Sequence, residues 1–191
     1  MSRPVLQVVV GSTRPGRRGI AVATWIAGFA RQHGGFDVEL LDVAAFGLPV
    51  FDEPNHPRLQ QYTHQHAKNW SAAVSRGDAF LFVTPEYNHS FPGSLKNALD
   101  YLWAEWADKA AGIVSYGGVS AGLRAATALK PVLSALRMVP AVEAVSIPFF
   151  AQFLTDDDEF AANAELEAGA KGMLDELVRL TSALQPLRTA A

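Results

Sequence analysis

Only one stretch of the chain alternates cleanly: in Phe36–Asp42, Phe36, Val38 and Leu40 are separated by Asp37 and Glu39. The other strand-like runs, Val5–Val10 (VLQVVV), Ala79–Thr84 (AFLFVT) and Ala110–Tyr116 (AAGIVSY), are nearly continuous in apolar residues. Continuous runs mark strands buried on both faces, the strands of parallel sheets covered by helices on each side. Alternation marks a strand with one wet face, at a sheet edge. Between these runs lie helical patterns. Val22, Ile26 and Phe29 recur at helical spacing within 19–33, with Trp25 beside Phe29, and Gly34-Gly35 ends the pattern. Further helices are expected over 61–76, over 94–102 with Ser94 as cap, and over 120–136. Val142–Ile147 reads as a fifth strand. A last helix is expected from Thr155, where Thr-x-x-Asp has the form of a capping box, with Met173, Leu177, Leu180 and Leu184 as a core stripe. Residues 43–61, with Gly47, Pro49, Pro54 and Pro57, read as a long loop. The alternation of strand and helix predicts the α/β class: one domain with an open, doubly wound, five-stranded parallel sheet, helices on both faces. The strand order 2-1-3-4-5 places the alternating second strand at the edge.

Composition narrows the function. The chain has 191 residues, 49% of them hydrophobic, enough for a full core without staples. It contains no cysteine, which removes disulfides, thiolate nucleophiles, iron–sulfur clusters and Cys-ligated zinc. A net charge of −3 speaks against a generally basic nucleic-acid or anionic-membrane binder. No apolar run approaches the roughly 18 residues of a membrane-spanning helix, and a cytoplasmic protein is expected.

In such a sheet, ligands bind beyond the carboxyl ends of the strands where the winding reverses, here between the first and third. Three loops lie there. Gly11-Ser12-Thr13-Arg14-Pro15-Gly16-Arg17-Arg18-Gly19 joins a strand directly to a helix N-terminus, where free N–H groups and the helix dipole favour an anion. It matches neither GxGxxG nor GxxxxGK[ST]. The second loop, Thr84 to Gly93 (TPEYNHSFPG), is stiffened by two prolines and offers an aromatic ring and peptide dipoles to a flat ligand. The third, Ser115 to Gly122 (SYGGVSAG), has adjacent glycines that permit close approach to a ligand. A phosphate site beside a flat-ring site describes a mononucleotide with a large planar group, which FMN fits.

GSTRPGRRG at 11–19, TPEYNHSFPGSLKNALDYL at 84–102 and SYGGVSAG at 115–122 resemble the NADPH-dependent FMN reductase family, a flavodoxin-like group that includes chromate and quinone reductases. The resemblance implies FMN as cofactor and NADPH or NADH as hydride donor. The electron acceptor would be a quinone, flavin, azo compound or metal oxyanion. It implies that Ser12, Thr13, Arg14, Arg17, Arg18, Gly19 and Ile20 surround the FMN phosphate, through side chains or backbone amides. Pro85, Glu86, Tyr87 and Asn88 would line the isoalloxazine, with amides around Asn88 meeting N5, and Ser115, Tyr116, Gly117 and Gly118 would border its other edge. Many relatives carry a second serine in the first loop, where this chain has Arg17 and Arg18. The cofactor carries the chemistry, so no catalytic side chain is expected. A homodimer or homotetramer is implied, with a small-molecule electron acceptor and neither nucleic acid nor membrane as partner. Two alternatives remain open: a flavodoxin-type electron carrier, and a regulatory protein that has kept the fold.

Other residues read more plainly. His89 is expected to serve a structural hydrogen bond or face a second subunit. His64 and His66, two apart on a helix, would point to different faces, so no metal is expected there. Asp156-Asp157-Asp158-Glu159 reads as the acidic first turn of the last helix. Trp103 and Trp106 read as either core residues or interface anchors, the interface being preferred.

Overall fold

The computed structural model describes residues 3–189. Six strands form one sheet: β1 (Val5–Val10), β2 (Asp37–Asp42), β3 (Ala79–Pro85), β4 (Ala110–Tyr116), β5 (Val139–Pro140) and β6 (Val145–Ile147). Its order is β2-β1-β3-β4-β5, every pairing is parallel, and β6 also pairs with β4. The alternating strand is the edge, as its pattern required. Four helices connect strands, α1 (Gly19–His33), α2 (Gln65–Ser75), α3 (Gly93–Asp100) and α4 (Leu123–Ala135), and α5 (Ala164–Thr189) follows β6. Short 3-10 turns at Val43–Phe46 and Pro57–Leu59 punctuate the long loop after β2.

The sheet has a core on each face. Leu6, Val8 and Val10 face α1 and α5, which contribute Val22, Ile26, Met173 and Leu177. Val9, Phe80 and Phe82 face α2, α3 and α4, which contribute Trp70, Leu95, Leu129 and Leu133. That two-sided burial is why β1, β3 and β4 are continuous in apolar residues.

Four expectations are corrected. The fifth strand position is filled by two short pieces, because the chain leaves the ladder after the Ala141 amide reaches the Ala111 carbonyl at 2.8 Å. The Val142 and Glu143 amides then donate to the Glu176 carboxylate on α5 at 3.1 and 2.8 Å.

The last helix starts at Ala164, capped by Asn163, whose Oδ1 accepts from the Leu166 amide at 3.0 Å. Residues 155–159 form a turn in which Asp158 has φ +58° and its amide donates to the Thr155 carbonyl. The Thr155 hydroxyl accepts from the Glu159 amide, one residue beyond the capping-box partner Asp158. Phe160, drawn against Trp25 at 5.0 Å between ring centroids, turns the chain across α1 instead of into a helix.

Ser94 does not cap α3. Its hydroxyl donates to the Gly11 carbonyl at 2.8 Å, and Pro92 takes the N-cap position. Trp106 is core, not interface: it is fully buried, meets Trp70, Phe80 and Phe82 with its ring, and donates Nε1–H to the Leu99 carbonyl. Helix α3 ends at Asp100, so the two tryptophans do not share a helix face. Trp103 is half-buried, with the Arg58 guanidinium over its ring at 4.6 Å.

These environments set opposite expectations for truncation. Trp106→Ala should cost about 3–5 kcal/mol and Trp103→Ala about 1 kcal/mol or less, measured by urea denaturation. Equal losses would contradict the assignment of Trp106 to the core.

Candidate functional site

The carboxyl ends of β1, β3 and β4 lie side by side, and their loops are stitched together there. The Gly11 amide donates to the Val83 carbonyl at 3.0 Å, and a Cβ at Gly11 would stand 2.9 Å from Leu95 Cδ2. The Ser12 hydroxyl, buried, shares a hydrogen bond with the Tyr87 hydroxyl at 2.8 Å. A turn closes from the Arg17 amide to the Arg14 carbonyl, with Gly16 at φ +69°. Arg18 takes the N-cap position of α1 without a side-chain cap, and the first turn holds no acidic residue. The leading amides of α1 thus lack side-chain partners, and an anion is favoured there.

The second loop ends in a two-residue turn bridging Tyr87 and Ser90, with Asn88 and His89 both at positive φ, 48° and 69°. Both tip residues are exposed, and among the described residues neither amide has a backbone partner. Glu86 ties this loop to α4: its carboxylate accepts from the amide and guanidinium of Arg124. Burial would raise the Glu86 pKa, but these bonds, with one from Ser120, hold it below the usual carboxylate value.

The third loop leads from Tyr116, which is buried beneath Gly19: a Cβ there would stand 2.2 Å from the tyrosine oxygen. Only glycine fits at 19. Burial, then the nearby Tyr87, push the Tyr116 hydroxyl pKa up, against Arg14 and Arg17, which pull it down. The Ser115 hydroxyl is spent on the Ala121 carbonyl at 2.9 Å and the Ser146 hydroxyl at 3.2 Å. Gly122 is left-handed (φ +76°), and any Cβ on it would meet the Tyr116 amide nitrogen at 2.8 Å, so α4 starts only at Leu123.

One cavity of about 470 Å³ opens between these loops. The first loop gives it Arg14, Gly16, Arg17 and Arg18; the second gives Pro85, Glu86 and Tyr87; the third gives Tyr116, Gly117 and Gly118. A fourth segment, Phe149–Gln152 after β6, completes the wall and was not anticipated from the sequence. Its signal was available: β6 pairs with β4, so its carboxyl end belongs to the same crevice. The remaining candidates stand off the wall. Ser12 lies behind Tyr87, and Gly19 lies over Tyr116. Thr13 faces a separate hollow with Ser94 and Asn97. Ile20 faces another beside Trp25. Asn88 is at the exposed turn tip, and Ser115 is packed beneath the loop.

The wall carries both cations and rings. At the first loop, Arg17 pairs with Asp42 and keeps its buried Nε without a partner, and Arg18 pairs with Asp158 at 2.8 Å. Arg14 makes no ion pair among the described residues. The same wall carries the rings of Tyr87, Tyr116 and Phe150, with the exposed Phe149 beside them. The residues present fit a phosphorylated planar ring: cations and free amides for the phosphate, aromatic side chains for the ring.

The family model for NADPH-dependent FMN reductase matches residues 5–152. The chain belongs to this family. An NAD(P)H-dependent FMN reductase of Schizosaccharomyces pombe is 39% identical over 149 residues, 76% of this chain and 74% of that protein. An FMN-dependent NADPH-azoreductase of Staphylococcus saprophyticus is 27% identical over 182 residues, covering 90% of this chain and 92% of its own. Among solved structures, the flavoenzyme FerB of Paracoccus denitrificans has a TM-score of 0.75 at 22% identity, covering 94% of this chain and 98% of its own. A Streptococcus pneumoniae flavodoxin has a TM-score of 0.56 at 14% identity over 92% of this chain and 98% of its own, which agrees with a flavodoxin-like fold. The reductase is therefore an FMN-dependent oxidoreductase that uses NAD(P)H, and the enzyme reading prevails over the carrier and regulatory ones.

His64 and His66 do not face apart. His64 precedes α2 in extended backbone, with φ −85° and ψ 145°, so its ring stacks on that of His66 at 5.2 Å instead of facing away. His66 Nε2 lies 2.9 Å from Asp52 Oδ1. Among the described residues no group of three or more His, Asp or Glu side chains is placed to hold a metal ion. The acidic run at 156–159 belongs to a turn, and its Asp158 neutralises Arg18.

The Glu86 latch predicts a pH dependence. Its folded pKa is depressed, so the stability it adds is present above the ordinary value of 4.5 and lost as the pH falls through the depressed one. Glu86→Gln should therefore lower Tm at neutral pH, and the gap to the native chain should close in strong acid. A gap that persists unchanged there would contradict the latch.

Proposed function

We propose that the reductase holds FMN in this cavity and passes electrons from NAD(P)H to a small-molecule acceptor: a quinone, flavin, azo compound or metal oxyanion. The observation that carries this reading is the meeting of three arginines, an uncapped helix N-terminus and the rings of Tyr87, Tyr116 and Phe150 on one wall. When bound, FMN supplies the redox chemistry, and the chain's own residues bind, orient and shield it.

Arg14, Arg17 and Arg18 bind the phosphate together with the α1 amides, and each charge-assisted bond adds roughly 1.5–3 kcal/mol before ordering costs. The three arginines differ in freedom. The Arg18–Asp158 pair is exposed on both sides, 52% and 65%, and such a pair is worth about 0–1 kcal/mol, so Arg18 turns to a phosphate at little cost. Arg17 and Asp42 are only 22% and 23% exposed, and Asp42 holds that guanidinium in place. Ser12 acts through Tyr87, fixing the ring that flanks the flavin. Gly117 and Gly118 let the backbone approach its edge, and the free amides at Asn88 and His89 are available to the flavin nitrogens. Pairing into a homodimer or homotetramer belongs to the same reading. It is supported by the exposed apolar residues Val50, Phe51 and Leu59 in the loop before α2.

The phosphate end can be tested apart from the ring end by comparing FMN with riboflavin. Arg14→Ala should weaken FMN about tenfold and leave riboflavin nearly unchanged, read by flavin fluorescence titration. Equal weakening of both would contradict a phosphate role for Arg14.

A further inference from the structure

Phe149 stands out in the cavity wall. Its backbone is left-handed, φ 45° and ψ 44°, a conformation disfavoured for a bulky side chain and found mainly where the surroundings enforce it. Those surroundings are visible. The Phe149 amide donates to the Gly118 carbonyl at 3.0 Å and the Phe150 amide to the Gly117 carbonyl at 3.1 Å, while the Phe149 carbonyl accepts from Gln152 at 2.8 Å. The strain does not serve core packing. Phe150 and Phe153 pack against the core, Phe150 against Tyr116 at 5.0 Å, whereas Phe149 is 49% exposed. Among the described residues, it is the only large exposed apolar side chain on the cavity wall.

We propose that Phe149 is a specificity-determining residue, the ring at the cavity rim on which a planar aromatic acceptor stacks. This rests on the reading that FMN occupies the cavity. The exposed position suits a ligand that arrives from solvent and leaves each cycle. Binding of the third loop to residues 149 and 150 fixes the Phe149 backbone against Gly117-Gly118, so the ring is anchored at the cavity where an incoming flat molecule meets it. A compact, non-aromatic acceptor gains nothing from that face.

The test uses the FMN-loaded full chain with Phe149→Gly, Phe149→Ala and Phe149→Tyr. The equilibrium Kd of 1,4-naphthoquinone, followed by flavin fluorescence, should rise about tenfold in the glycine and alanine variants and stay within about twofold in the tyrosine variant. The FMN Kd and ferricyanide reduction should not change. The glycine variant should also melt above the alanine variant, because glycine accepts the positive φ. An unchanged naphthoquinone Kd in both truncations would overturn the proposal, and so would parallel losses with naphthoquinone and ferricyanide, which indicate a structural role. A native chain that neither takes up FMN nor reduces ferricyanide with NADPH would overturn the functional reading itself, and this proposal with it.

Discussion

A parallel sheet offers a ligand site where its winding reverses, and in this reductase that crevice is framed by hydrogen bonds between loops. Ser94 reaches back to the Gly11 carbonyl, Ser12 meets Tyr87, Glu86 grips Arg124, and residues 149 and 150 hang from Gly118 and Gly117. Each bond joins two different connections between sheet and helices. Individually they contribute about 1 kcal/mol, but together they fix the relative positions of four segments that share no continuous backbone. A site assembled this way loses little ordering entropy on binding, which suits a cofactor that must be held in one orientation.

The polarity of the site follows from the same arrangement. Strand β1 delivers its chain to the start of α1, so cations and free amides collect there, while β3, β4 and β6 deliver the rings. Two of the three arginines are already neutralised by Asp42 and Asp158. The loop therefore carries its positive charge without strong self-repulsion, and the net charge of −3 gives no hint of it.

Much of this was legible in the sequence because burial writes itself into strands. Phe36–Asp42 could only be an edge, and the continuous runs could only be central, which fixed the order and hence the crevice. What escaped were contacts made across long sequence separations. Thr155 and Asp158 satisfy a helix-start pattern, yet the pull of Phe160 on Trp25 decides the path of the chain. Trp103 and Trp106 look equivalent at their spacing until α3 ends before them. His64 and His66 lie together only because the Glu53 carboxylate takes the Thr63 and His64 amides and delays the start of α2. Phe149 was missed because a phenylalanine following a buried strand reads as core, and nothing local announces a left-handed backbone at a non-glycine residue.

The central claim is that four separate segments form one cradle for a phosphorylated flavin. It is tested most directly by the absorbance spectrum of the purified chain, recorded with added FMN and then with NADPH in air. The account predicts stoichiometric retention of FMN through gel filtration, followed by bleaching on NADPH addition and continued NADPH consumption as oxygen restores the colour. A chain that emerges colourless from the column and leaves NADPH unconsumed would contradict it.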